Sequence, residues 1–81
     1  MYYVYLLKCV DDTFYCGITT DIERRVREHN HSRLGAKYTK GRRPAILVYS
    51  KKHKDRSEAS KEEARVKKLS RGEKDKLTAI R

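Results

Sequence analysis

Arg25 is the residue whose type and setting point most directly to chemistry. A guanidinium is planar, permanently charged and able to hold a phosphate through two parallel hydrogen bonds. This one lies in the run YCGITTDIERRVREH, Tyr15 to His29, with Arg24 and Arg27 beside it. The run reads as the end of a strand at Tyr15-Cys16-Gly17, a short turn and then a helix, which makes a phosphate-handling site. Gly17 stands where backbone must turn sharply or approach a ligand closely.

Glu62 and Glu63 are the second unusual feature. They interrupt the apolar stripe Ala59, Val66, Leu69 of a later helix. A carboxylate there is costly unless it is paired or holds a cation. One reading pairs it with Arg25 or a neighbouring lysine. The other makes it a ligand for a hard divalent ion, which prefers oxygen donors and keeps several waters. The two are compatible, because substrate and metal could replace the ion pair. Tyr5, Tyr15 and His29, taken singly, read as packing residues at or near the core.

The elements that must position these groups follow from pattern. Tyr2 to Cys9, YYVYLLKC, is rich in β-branched and aromatic residues and predicts a buried strand. Val10 to Thr13 carries turn chemistry, and Phe14 to Ile18 resumes the strand, giving a β-hairpin. Thr20 with Glu23 matches a capping box, so a helix is expected from Thr20, with Ile22, Val26 and His29 along the stripe that packs on the sheet. Arg25 falls at the border of that stripe, and Arg24 and Arg27 point further out.

Asn30 to Arg43 is irregular, with Lys37, Lys40, Arg42 and Arg43 crowding its end. Pro44 opens a third strand, AILVYS, which must return to the edge of the sheet. Asp55-Arg56-Ser57-Glu58 starts a helix running to about Leu69. Ser70-Arg71-Gly72-Glu73 repeats the capping-box spacing and starts a last helix anchored by Leu77 and Ile80. The order β-β-α-β-α-α predicts an α+β fold, three strands with helices packed against them.

Composition sets the class of partner. The chain has 81 residues, room for one domain over 1–81, with 21 Lys+Arg against 11 Asp+Glu and a formal charge of +10. Such an excess on a small surface favours polyanions, nucleic acid first among them. Cys9 and Cys16 have no second Cys or His pair at metal-ligand spacing. Met1 leads straight into a strand pattern without a signal peptide, and no stretch approaches the roughly 20 apolar residues of a membrane span. These features predict a cytoplasmic protein with both thiols reduced, no membrane contact and no obligate protein partner.

Taken together, Val4-Tyr5-Leu6, Tyr15-Cys16-Gly17, the helix-borne Arg25 and Ala59-x-x-x-Glu63 resemble the GIY-YIG nuclease superfamily, in particular its small stand-alone bacterial members. The likeness covers nearly the whole chain. It implies a three-stranded antiparallel sheet flanked by helices, with Tyr5 and Tyr15 as the motif tyrosines and Gly17 as the motif glycine. It further implies Arg25 as catalytic arginine, His29 as the histidine further down that helix and Glu63 as metal ligand, Glu62 being its neighbour in spacing. Tyr3 stands where the first motif has glycine and Cys16 where the second has isoleucine. The motif tyrosines are ten apart; if both rings share a face, the hairpin loop holds an odd number of residues, Asp11-Asp12-Thr13.

The activity implied is endonucleolytic hydrolysis of phosphodiester bonds, in DNA before RNA and in DNA repair or recombination, with one Mg2+ or Mn2+ ion on Glu63. Arg25 would stabilise the transition state. Tyr5 would deprotonate or orient the attacking water, assisted by Tyr15, provided Arg25 and the metal lower its pKa. Arg24, Arg27, Lys40, Arg42 and Arg43 would grip flanking phosphates, which predicts weak sequence preference and steep salt dependence. The competing reading is a non-catalytic nucleic-acid-binding module on the same fold.

Overall fold

The computed structural model describes residues 1–31 and 41–79. Strands β1 (Tyr2–Cys9) and β2 (Phe14–Thr19) form the hairpin, followed by helix α1 (Ile22–His31). Strand β3 (Ala45–His53), α2 (Arg56–Lys67) and α3 (Arg71–Ala79) complete the chain. The sheet runs β2-β1-β3 and both pairings are antiparallel, so the expected α+β architecture is the one found. None of the described helices is long and apolar enough to cross a membrane.

β1 is central and covered on both faces, which is why YYVYLLKC is nearly continuous in apolar character. Val4 and Leu6 face α2, packing with Cys16, Ala59 and Val66. Tyr5, Leu7 and Cys9 face α1, packing with Ala45, Tyr15, Val26 and Leu47. A register shift between Leu6 and Leu7 against β3 makes room for an extra residue there. Both cysteines are free and buried, Cys9 on the α1 face and Cys16 on the α2 face.

Boundaries differ from the sequence pattern. α1 takes in Asn30 and His31, which read as irregular, and β2 takes in Thr19. Four further differences each have a local reason. Lys8 pairs with Phe14 and the Cys9 N–H donates to the Thr13 carbonyl at 2.8 Å, so the odd-numbered loop is 10–12, one residue earlier than expected. Asp12 takes the left-handed conformation at φ 72°, which an aspartate tolerates, while the Asp11 carboxylate accepts from the Thr13 N–H and hydroxyl. Asp12 also pairs with Lys8 and with Arg71 of α3, each at 3.1 Å.

At α1, Asp21 rather than Thr20 caps the helix, its carboxylate accepting from the Arg24 N–H at 3.1 Å. A charged acceptor suits the positive end of a helix, and Thr19 braces it by accepting from the Asp21 N–H. β3 continues past Ser50 through Lys51, Lys52 and His53, because β1 still offers Tyr2, Tyr3 and Val4 as partners. Lysines on that edge strand carry no apolar signal and discourage pairing with another chain. α2 stops at Lys67, with Lys68 as its C-cap, leaving Leu69 in the turn beyond.

The remaining starts agree with the pattern. Asp55 caps α2 through the Glu58 N–H at 2.8 Å. Ser70 and Glu73 form the full reciprocal capping box of α3, each side chain accepting from the other's N–H. Leu77 packs against the α2-side core; Ile80, its expected companion, lies outside the described residues.

Candidate active site

Strand parity places Tyr5, Tyr15 and Gly17 on the α1 face. Tyr5 is directly opposite Gly17, and Leu7 is opposite Tyr15. Gly17 neither ends the strand nor takes a positive φ; β2 runs on to Thr19. Its missing side chain is the space the Tyr5 ring occupies. A Cβ at position 17 would stand 2.5 Å from the Tyr5 hydroxyl oxygen and 2.7 Å from Cζ. The close approach expected at this glycine is made by a neighbouring tyrosine.

α1 supplies the other half. Val26 and His29 turn toward the sheet, and His29 is fully buried. The Tyr5 hydroxyl lies 2.8 Å from His29 Nε2, and Arg25 also hydrogen-bonds that hydroxyl. Arginine has only donors, so the phenol oxygen accepts from Arg25, which leaves its proton free to be donated to His29 Nε2. Tyr15 closes the group, its ring 5.1 Å edge-on to His29 and 6.4 Å from Tyr5.

The electrostatics agree with that proton arrangement. Burial raises the Tyr5 phenol to about 12, more than the Arg25 hydrogen bond lowers it. Burial and the positive charge of Arg25 push His29 down to about 4. At neutral pH the pair is therefore a protonated phenol and a neutral imidazole. Tyr5 is 1 % exposed, whereas Tyr15 and Arg25 are only partly buried. The protein groups alone do not lower the Tyr5 pKa as a base would require.

Arg25 is paired, but with neither Glu62 nor Glu63. Its partner is Glu28, one turn along the same helix, at 2.9 Å, and Glu28 also approaches Arg24 at 3.7 Å. Burial works against the Arg25 charge, yet the hydrogen bonds to Glu28 and Tyr5 outweigh it and raise its pKa. The i,i+3 and i,i+4 spacings of Glu28 from Arg25 and Arg24 were a readable signal for this triad. Beside it opens a cleft of about 350 Å³ whose lining includes Thr20, Arg24, Arg25, Glu28 and Arg56. Arg56, at the start of α2, is a residue that no motif singled out.

Glu62 and Glu63 face the other side of the sheet. Glu62 takes Arg65 through both oxygens, at 2.9 and 2.7 Å, and accepts from the Tyr49 hydroxyl at 3.3 Å. The Arg65 hydrogen bonds hold its carboxyl below the usual range. Glu63 has Lys67 at 3.4 Å and acts on the Cys16 thiol, which burial, with Glu63 adding to it, raises to about 11. The structure thus groups Tyr5, Tyr15, Gly17, Arg25 and His29, and sets Glu63 apart from them on α2, within electrostatic reach of the Cys16 thiol.

Among the described residues no three His, Cys, Asp or Glu side chains cluster as ligands for a metal ion. A single partly exposed carboxylate fits Mg2+ or Mn2+, which keep waters and take further oxygens from substrate phosphates. Glu63 fits that donor set better than Glu62, which is already bound through both oxygens.

The remaining basic residues divide. Arg24 and Arg27 lie on the exposed side of α1. Arg42 is tied to Asp11 of the hairpin loop at 2.8 Å, while Arg43 donates to the His29 carbonyl at 2.6 Å and so braces the site from the β3 side. Asn30 fixes the same junction, accepting from the Ala45 N–H and donating to the Ala45 carbonyl. Lys40 lies outside the described residues.

Comparison with known proteins agrees with this geometry. The model of the GIY-YIG catalytic domain matches residues 1–76. A UPF0213 protein of Desulfotalea psychrophila is 55 % identical over 69 residues, 85 % of this chain and 63 % of its own length. One from Halobacterium salinarum is 48 % identical over 95 % of this chain and 99 % of its own. The solution structure of a UPF0213 protein from Bacillus halodurans superposes with a TM-score of 0.62 at 44 % identity, covering 100 % of this chain and 86 % of that one. That of a protein from E. faecalis gives 0.65 at 46 % identity, over 98 % and 83 %. A family model that spans most of the chain, with relatives 44–55 % identical to it, decides the matter: the protein belongs to the GIY-YIG domain family.

Proposed function

We propose that the α1 face hydrolyses phosphodiester bonds in nucleic acid, DNA in the first instance, as an endonuclease. The observation that carries this reading is the setting of Arg25. It is locked from behind by the buried Tyr5–His29 pair and presented at the mouth of a basic cleft. A fixed guanidinium at that place suits the extra negative charge of a pentacovalent phosphorus, and preorganised charge of this kind is commonly the largest catalytic contribution.

Each neighbouring residue then has a defined task. Tyr5 accepts from Arg25 and donates to His29, so it orients the clamp from a dry position. Tyr15, the more exposed phenol, is placed to meet the attacking water. Gly17 keeps β2 thin enough for the Tyr5 ring to lie across it. When bound at Glu63, Mg2+ or Mn2+ would supply positive charge to the phosphate and the leaving oxygen. Arg25 is carried on α1 and Glu63 on α2, so a phosphodiester served by both would have to span the two helices. Such an activity fits DNA repair or recombination in the cytoplasm.

A second reading, a nucleic-acid-binding module without turnover, is favoured by that same separation of Glu63 from Arg25. One experiment decides between them: incubation of supercoiled plasmid and labelled branched DNA with Mg2+, Mn2+ or EDTA, using wild type and Glu63→Gln. Metal-dependent nicking that Glu63→Gln loses supports the nuclease. Binding without cutting, indifferent to EDTA and to Glu63→Gln, supports the module.

A further inference from the structure

The cleft between α1 and the start of α2 holds a carboxylate where an anion-binding site would hold its ligand. Arg24 and Arg25 converge on Glu28, and Arg56 reaches the same cleft from a different element. Glu28 is the acid in that lining; its side chain is only 20 % exposed, and two of the three arginines are within 4 Å of it. The volume, about 350 Å³, is at the small end of ligand sites, roughly 300–1,000 Å³. The geometry points to a phosphate subsite formed by Arg24, Arg25 and Arg56, in which Glu28 is an internal stand-in that a substrate phosphate displaces.

The chemistry supports exchange of one anion for another. A carboxylate and a phosphate both accept parallel hydrogen bonds from a guanidinium, but a phosphodiester brings its charge without belonging to the helix that carries the arginines. Removal of Glu28 from the pair leaves Arg25 still hydrogen-bonded to Tyr5, so the guanidinium keeps its place as its partner changes. Arg56 adds positive charge to the lining from α2, independently of the two arginines on α1. As a place where Arg24 and Arg56 hold the phosphate next to the scissile one, with Arg25 shared between the two, this subsite rests on the nuclease reading above; as an anion site, it can be tested without it.

The test therefore has two arms. In the first, pyrophosphate is titrated into 15N-labelled protein and the arginine Nε–H resonances are followed, with Arg27 and Arg71 as references. The expected result is that shifts concentrate on Arg24, Arg25 and Arg56. Glu28→Gln should tighten pyrophosphate several-fold, and Arg56→Ala should weaken it several-fold. Shifts no larger at these three than at Arg27 and Arg71, or an affinity that Glu28→Gln leaves unchanged, would overturn the subsite.

In the second arm, anisotropy of a labelled DNA duplex in EDTA is measured across salt concentrations. Arg56→Ala should lower the slope of log affinity against log salt by about one, as one lost phosphate contact does. A wild-type slope that Arg56→Ala does not change removes Arg56 from the nucleic-acid path. Wild type that takes pyrophosphate but no DNA overturns the nuclease reading while the anion site stands.

Discussion

Against α2 the sheet presents Val4, Leu6 and Cys16 to Ala59 and Val66; against α1 it presents Tyr5, Leu7 and Cys9 to Val26 and His29. The same three strands thus support two kinds of packing. On the α2 side the contacts are apolar, and each fully buried Val or Leu contributes roughly 1.5–3 kcal/mol from removal of apolar area. On the α1 side a phenol, an imidazole and a guanidinium are drawn in, and their burial is tolerated because the Tyr5 hydroxyl both donates and accepts. One side of this small domain is thus packed by apolar contact and the other around a hydrogen-bonded polar cluster.

Variants that separate the two faces put that contrast at risk. Leu6→Ala should have the largest effect on folding, a loss of about 2–5 kcal/mol by denaturant unfolding, because its side chain is fully buried. Should a loss that large come from the α1 face and not from Leu6, the assignment of roles would be inverted.

Acid is the next lever. His29 in the folded state has its pKa depressed to about 4, against an ordinary 6.5. Protonation then favours the unfolded chain, so the contribution is complete above pH 6.5 and is lost as pH falls toward 4. The slope is about 1.4 kcal/mol per pH unit, on the order of 3 kcal/mol across the window. Chemical denaturation at several pH values between neutrality and the folded-state pKa should show this fall in wild type and a shallower one in His29→Gln. Parallel curves for the two proteins would mean that His29 is not held neutral.

Gly17→Ala should cost about 1–3 kcal/mol, since the new methyl meets a Tyr5 ring that His29 and Arg25 hold in place. Unfolding of Gly17→Ala beside the double variant Gly17→Ala/Tyr5→Leu checks the cause, because relief by the second change identifies the ring as the obstacle. Tyr5→Phe removes the hydroxyl's hydrogen bonds to both His29 and Arg25 and should cost about 1–3 kcal/mol. Its effect on cleavage should exceed its effect on folding, as Arg25 loses its rear acceptor; equal rates in wild type and Tyr5→Phe would show that the clamp needs no such support.

Much of this arrangement is legible in the amino-acid sequence itself. The apolar run of β1, the odd loop implied by Tyr5 and Tyr15, and the Ile22–Val26–His29 stripe each specify which side of an element turns inward. Ser70 and Glu73 meet as the capping box because their contact is local. What periodicity does not say is which inward faces meet. Glu62 and Glu63 break the stripe of α2 as expected, but that stripe covers the Cys16 face, so Arg25 finds its acid in Glu28. Arg42 and Arg43 read in sequence as cations available to phosphate; Asp11 and the His29 carbonyl engage them through contacts across the fold. Lys51 to His53 join β3 for the same reason, since strand pairing there is decided by β1 and not by their own side chains.

The chemistry assigned to the α1 face turns on Arg25. Single-turnover cleavage of a labelled DNA duplex in Mg2+ by wild type and Arg25→Ala tests it most directly, with unfolding midpoints measured on the same preparations. The expected result is a rate loss of about 10²–10³, the usual effect of removing one preorganised donor to transition-state charge. Stability should change by no more than about 1 kcal/mol, as for a partly exposed ion pair. Cutting at the wild-type rate by a folded Arg25→Ala protein would contradict this role and move the chemistry of the chain away from the α1 face.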